Sequence, residues 1–362
     1  AQNVNLNADL MSDKNLAIMA KNNIFTKEGA NLYSKSDGKL KARTADLGGD
    51  VRADGTLTIE TDDKLTAQNI TAGNATLKAG AELSAKNVNV GGNADITAGA
   101  NLTANDVSVG GNLNAKAVHI TAQNISAGGN AALNAETALT AQNISAGSDL
   151  DAKAVNITAE NITAGGNATL NAGTDLFANN VNVNGDASIA AGMNLTAHDV
   201  NVGGNLNAKA QNITANNVTS KGNAVLTADK DVTLAGGISA KRNAALTAGE
   251  NMTLGGKTDV GETLTANVGN DLAANGTITT GKDFAAYVGN DLAVKDLVST
   301  GGSASLTVGR NATLGGTLTT GGNFTANVGN DLTTNAAVLS HGTTTIDAQN
   351  VNLNADLMSD KN

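Results

Sequence analysis

Apolar and polar residues alternate along this chain in short runs, and the runs recur at a nearly fixed distance. The hexapeptide Leu/Ile-x-Ala-x-Asn/Asp-Val/Ile occurs nine times, starting at Leu65, Leu83, Leu102, Ile120, Leu139, Ile157, Leu176, Leu195 and Ile213. Between them stands a second alternating run, NATLKA around Leu77, NLNAKA around Leu113 and NATLNA around Leu170. Alternation with period two places one face of a strand inward and the other outward, and it does not fit a helix. Near-constant spacing of the starts identifies one supersecondary unit that stacks on copies of itself. The pattern predicts coils of two or three short strands, with corners at Gly pairs such as Gly91-Gly92 and Gly110-Gly111, where positive φ or close backbone approach is needed.

The hexapeptide also predicts a corner of its own. If Leu176 and Ala178 face inward, a straight strand would turn Asn180 inward and Val181 outward, so the strand must bend there. Asn and Asp stabilise such a bend by bonding backbone two residues on, and they tolerate the left-handed region. The column is Asn69, Asn87, Asp106, Asn124, Asn143, Asn161, Asn180, Asp199 and Asn217; none of the nine is Gly, which points to a side chain that bonds something.

Beyond residue 220 the step lengthens slightly and then holds: Leu264-Ala266-Val268, Phe284-Ala286-Val288, Ala304-Leu306-Val308 and Phe324-Ala326-Val328 follow in register. The expected organisation is irregular coils over 1–62, regular coils over 63–220, and slightly longer coils over 221–347. Residues 348–362 repeat residues 1–15 letter for letter, an offset of 347, and read as the start of the next copy of a 347-residue tandem repeat. The fold class expected is all-β, a parallel β-helix or β-solenoid of about 18–20 residues per coil. Right-handed coiling follows from the preference for right-handed crossovers between parallel strands.

Composition narrows the core and the partners. Hydrophobic residues make up 40% of the chain but aromatic ones only 2%, so the interior is a narrow one of Ala, Val, Leu and Ile. Pro is absent where average usage gives roughly eighteen, as strands that must donate along their whole length require. Without Cys there are no disulfides or thiolate sites. A net charge of −10 with no Trp argues against nucleic acid as a partner. No apolar run reaches membrane-spanning length, and the first residues lack the features of a signal peptide.

Stretches such as GGNATLNAGTDLFANNVNV and GGNLNAKAQNITANNV resemble the hemagglutinin-type repeats of filamentous hemagglutinins and related two-partner-secreted adhesins, over nearly the whole chain from Leu57 onward. The resemblance implies a right-handed parallel β-helix, secretion through a partner outer-membrane barrel, and a role in a long adhesive or projecting fibre at the bacterial surface. The family's secretion domain carries Asn-Pro motifs, which a chain without Pro does not contain.

Chemistry is sparse in the pattern. Some β-helices are polysaccharide lyases or hydrolases with carboxylates and basic groups gathered in a groove. The nearest candidate here is the evenly spaced column Asp271, Asp291, Asn311 and Asp331, whose carboxylates could hold Ca²⁺ or form solvated VGNDL turns. His119, His198 and His341 fall on different layers and suggest no triad. Lys39, Lys41 and Arg43 alternate with Leu40 and Ala42 as the basic outer face of a strand. The expectation is a structural fibre or adhesin segment, with no catalytic activity and no cofactor. Its partners would be neighbouring copies end to end and a host-cell, bacterial-cell or glycan receptor. The alternative is a carbohydrate-binding or carbohydrate-active β-helix.

Overall fold

Alternation and fixed spacing translate into strands stacked coil upon coil. In the computed structural model, which describes residues 1–361, the regular elements are β-strands paired in parallel, each with its counterpart one coil away. The fold is a parallel β-solenoid. The chain divides into two units, Ala1–Gly173 and Thr174–Asn362.

In the first unit, Leu65, Leu83, Leu102, Ile120, Leu139 and Ile157 stand in register as one buried column. Ile70, Val88, Val107, Ile125, Ile144 and Ile162 form a second on the far side of the bend. On the second strand run, large and small residues exchange places: the inward pairs are Ala94 with Ile96, Leu113 with Ala115, Ala131 with Leu133, and Leu150 with Ala152. A large residue in one coil therefore rests beside a small one in the next, which fills a narrow interior without voids. The earliest coils are less even. Leu10 pairs with Leu32 and Leu32 with Val51, so the first of these coils is longer than the second.

In the second unit the coils lengthen along the chain, since Leu195 pairs with Ile213 but Met252 with Leu272. Leu195, Ile213, Val232, Met252, Leu272 and Leu292 form one inward column. Several of the longer coils have three short strands, as in Leu264–Val268, Leu272–Ala274 and Ile278–Thr280. Phe284, Ala304 and Phe324 pair in register while Ala286, Leu306 and Ala326 beside them run small, large, small. All six are at most 1% exposed. Burying each large side chain is worth about 1.5–3 kcal/mol, and sharing it between layers is what lets a coil that could not fold alone hold its place.

The corners correct one expectation and decide another. Among the described residues, positive φ occurs only at Gly29 and Gly237 and at no non-glycine residue, so neither the Asn column nor the Gly pairs rely on the left-handed region. The hexapeptide bends by turning two consecutive residues outward: in Leu83–Val90 the burial runs buried, half, buried, exposed, half, buried, exposed, buried, which restores Val88 to the interior. At the Gly pairs the constraint is steric. A Cβ at Gly110 would meet Gly91 O, and one at Gly128 would meet Gly110 O, because the chain passes directly over the coil below.

Candidate functional site

The polar residues that the fold organises most strongly are the two columns at its corners. Local chemistry suggested that the hexapeptide Asn side chains bond the backbone two residues on. They bond each other across coils. Asn87 Nδ2 donates to Asn69 Oδ1 at 2.7 Å, Asn143 Nδ2 to Asn124 Oδ1 at 2.6 Å, and Asn161 Nδ2 to Asn143 Oδ1 at 2.8 Å. Asn69 Nδ2 extends the run to Asp50 Oδ1, and in the second unit Asn217 Nδ2 donates to Asp199 Oδ1 at 2.7 Å. An amide carries donor and acceptor both, so it can serve the coil above and the coil below. A carboxylate only accepts. Asp106 takes the Asn124 amide but brings no N–H for Asn87, so a new run of donors starts there. Asn69 through Asp199 are half-buried and Asn217 is exposed; Asn180 is likewise engaged with other groups. At the next coil the column reaches Gly237, where φ is +110° and the side-chain ladder gives way.

A second column, not foreseen, follows the Gly pairs. Asn93 N–H donates to Asn74 Oδ1, Asn112 N–H to Asn93 Oδ1, Asn130 N–H to Asn112 Oδ1, and Asp149 N–H to Asn130 Oδ1, at 2.8–3.1 Å. The second unit repeats the arrangement from Asp186 through Asn205 and Asn223 to Asn243. The recurrent Gly-Gly-Asn triplet was the available signal: the acceptor recurs at one offset from a corner whose amide needs a partner. A third set lies inside. The buried hydroxyls of Thr280, Thr300 and Thr320 each donate to the carbonyl two residues on, at 2.9–3.0 Å.

The aspartate column that could hold Ca²⁺ or form solvated turns is in register, with one oxygen of each carboxylate engaged. Asp271 Oδ1 accepts Asp291 N–H at 3.1 Å, and Asp291 Oδ1 accepts both N–H and Nδ2 of Asn311. Asp331 Oδ1 accepts Asn350 Nδ2 at 2.7 Å. Asn311 stands between Asp291 and Asp331, and among the described residues no three His, Asp or Glu side chains come together as a metal-holding group.

The histidines are dispersed. His119 is exposed beside a register shift after Ala117. His198 lies 2.8 Å from Asn179 Oδ1 and edge-on to Phe177, and His341 lies 2.7 Å from Asp360 Oδ2. Lys39 and Lys41 point outward with Leu40 and Ala42 buried, and Lys41 Nζ reaches Glu60 at 3.6 Å. One outward cluster brings an aromatic ring to ionic groups. Tyr33 Oη donates to Asp54 Oδ2 at 2.8 Å, Arg52 Nε donates to Asp54 Oδ1 at 3.0 Å, and the guanidinium lies 5.1 Å from the Tyr33 ring centre. The tyrosine hydroxyl, and after it Arg52, holds the Asp54 carboxyl below its ordinary range, and the same bond raises Tyr33.

An open groove of about 640 Å³ runs along the first unit, lined by Asn93, Asp95, Asn112, Asn114, Asn130, Asp149, Asp151 and their neighbours, with no aromatic ring in its wall. The inner amide oxygens are taken up by the backbone of the coil above, while Asp95, Asn114 and Asp151 face outward. No family model, curated protein or solved structure matches the chain.

Proposed function

We propose that this chain is a structural segment of a long extracellular bacterial fibre or adhesin, built from stacked β-helix repeats and partnered end to end by further copies of the same repeat. The observation that carries the reading is the use made of polar residues. Amides and carboxylates that could have formed a site are committed, coil after coil, to bonds between one layer and the next. Such commitment resists shear between layers and leaves a repetitive outer surface, as a projecting stalk requires. The resemblance of GGNATLNAGTDLFANNVNV to hemagglutinin repeats supports secretion through a partner barrel and contact with a host-cell, bacterial-cell or glycan receptor. Protease treatment of intact producing cells, followed by blotting with an antibody to this segment, tests the location and size. Degradation on intact cells of a species far larger than 35.9 kDa is expected. A protected species, or a single band at the mass of one such segment, would count against it.

The groove of the first unit favours a second reading, a carbohydrate-binding β-helix. Its outward Asp95, Asn114 and Asp151 are hydrogen-bonding groups of the kind that meet sugar hydroxyls, though no ring is present on which a sugar could stack. A glycan-array screen in which Asp151→Ala abolishes a hit seen with the parent chain would favour that reading.

A further inference from the structure

Residues 1–15 and 348–362 have the same sequence, and the described residues 348–361 use a different edge of it from residues 1–15. In the first setting the peptide is bonded to the coil that follows. Leu10 N–H donates to Asn31 O at 2.9 Å, Lys27 N–H donates to Leu6 O at 2.8 Å, and Asn31 N–H donates to Asp9 Oδ1 at 2.8 Å. In the second it is bonded to the coil that precedes. Val338 N–H donates to Asp356 O and Asn354 N–H to Thr334 O, both at 2.9 Å, while Asn350 Nδ2 donates to Asp331 Oδ1 and Asn354 Nδ2 to Asn335 Oδ1.

Overlaying the two settings residue by residue, with Leu10 on Leu357 and Asp9 on Asp356, leaves no atom of these bonds claimed twice. Asp9 uses its side chain upward, and its counterpart Asp356 uses its main-chain oxygen downward. The second acidic residue of the peptide behaves the same way. As Asp13 it meets Lys35 Nζ through Oδ1 at 2.6 Å, and as Asp360 it meets His341 Nδ1 through Oδ2 at 2.7 Å. Along a strand the main-chain groups point alternately to the two neighbours. Asp356 points to the preceding coil, so Leu357 turns its N–H to the open edge. Val351 and Leu353 are 43% and 45% exposed there.

We infer that this fifteen-residue peptide is the joint between successive copies of the repeat, a coil paired on both edges whose open edge receives residues 16 onward of the next copy. The register is fixed by the first setting: Val351 takes Ile24, Leu353 takes Thr26 and Leu357 takes Leu32 of that copy. At the joint one carboxylate bridges His341 of the preceding copy and Lys35 of the following one. The inference rests on the end-to-end part of the proposed function and is independent of where the fibre stands.

The test compares the 362-residue chain with a two-period chain in which residue 362 is followed directly by residue 16, reading amide hydrogen exchange at Leu357. The Leu10 amide, bonded to Asn31 in both chains, serves as the internal standard. The Leu357 amide is expected to exchange about 1,000-fold more slowly in the two-period chain, and Val351 and Leu353 to become protected from side-chain footprinting. Exchange at Leu357 unchanged by the second period overturns the joint, as does a second period that unfolds separately or prevents folding. A protected joint in a protein absent from the cell surface would leave this inference standing and reject the fibre reading alone.

Discussion

Asn143 donates its side-chain amide to Asn124 Oδ1, 2.6 Å away in the coil below, while its own Oδ1 accepts Asn161 Nδ2 from the coil above. One half-buried side chain thus ties three layers. Asn143→Ala removes two bonds and leaves a donor on Asn161 and an acceptor on Asn124 to water. Each bond is worth about 0.5–1.5 kcal/mol, so a loss of about 1–3 kcal/mol is expected from denaturant unfolding. Asn143→Asp keeps the acceptor and loses only the donor, and should fall between the two. Unchanged unfolding of the alanine variant would deny the ladder any part in stability.

The Gly column separates crowding from conformational freedom. Gly91 and Gly110 follow each other at one corner, yet a Cβ at Gly91 has its nearest neighbours at 3.9 Å whereas one at Gly110 meets Gly91 O. Neither has positive φ. Gly91→Ala should therefore lie within about 0.5 kcal/mol of the parent, and Gly110→Ala should cost about 1–3 kcal/mol by forcing the coils apart. Equal melting of the two variants would contradict close approach as the cause.

Thr258 carries the opposite kind of defect. It sits in a column with Ile238 and Ile278, is 0% exposed, and its hydroxyl has no partner. Burying a hydroxyl without a bond costs about 1–3 kcal/mol, and Val has the same shape without it. Thr258→Val should stabilise the chain by about 1 kcal/mol, read as a raised midpoint at unchanged slope. A lowered midpoint would mean that the hydroxyl is bonded.

The Tyr33–Asp54–Arg52 cluster makes an early coil sensitive to pH at both extremes. Asp54 is held below 3.8 chiefly by the Tyr33 hydroxyl and then by Arg52. Its depressed folded value contributes stability above the unfolded one, lost as pH falls through the folded value. Tyr33 is raised above 10.0 by the same bond, so its contribution is present below that value and lost as pH rises through the folded one. NMR titration of the Asp54 carboxyl should find it moved back toward the ordinary range by Tyr33→Phe, and also by Arg52→Gln. A carboxyl unmoved by Tyr33→Phe would contradict the hydroxyl as a cause.

Much of the fold could be read because the solenoid repeats its instructions. Leu176, Ala178 and Val181 face inward as the hexapeptide requires, and Phe284, Ala304 and Phe324 alternate in size with their neighbours. The corners were harder. Local chemistry suggests that an Asn at a bend bonds its own backbone, and only stacking reveals that Asn143 has a nearer partner in Asn124, one coil back. The Gly-Gly-Asn column escaped for the same reason: Asn112 and Asn130 look like turn residues until the amide of the coil above is placed against them. Asp271 and Asp291 drew notice as charges, and Oδ1 of each accepts an amide from the next coil. These bonds run between coils, and one coil's sequence does not contain them.

The most direct measurement is diffraction or cryo-electron microscopy of the native particle. Coils stacked through the ladders described here should give a continuous filament with a repeat of about 4.8 Å along its axis, the spacing of adjacent strands. Compact, isolated particles without that axial repeat would contradict the account.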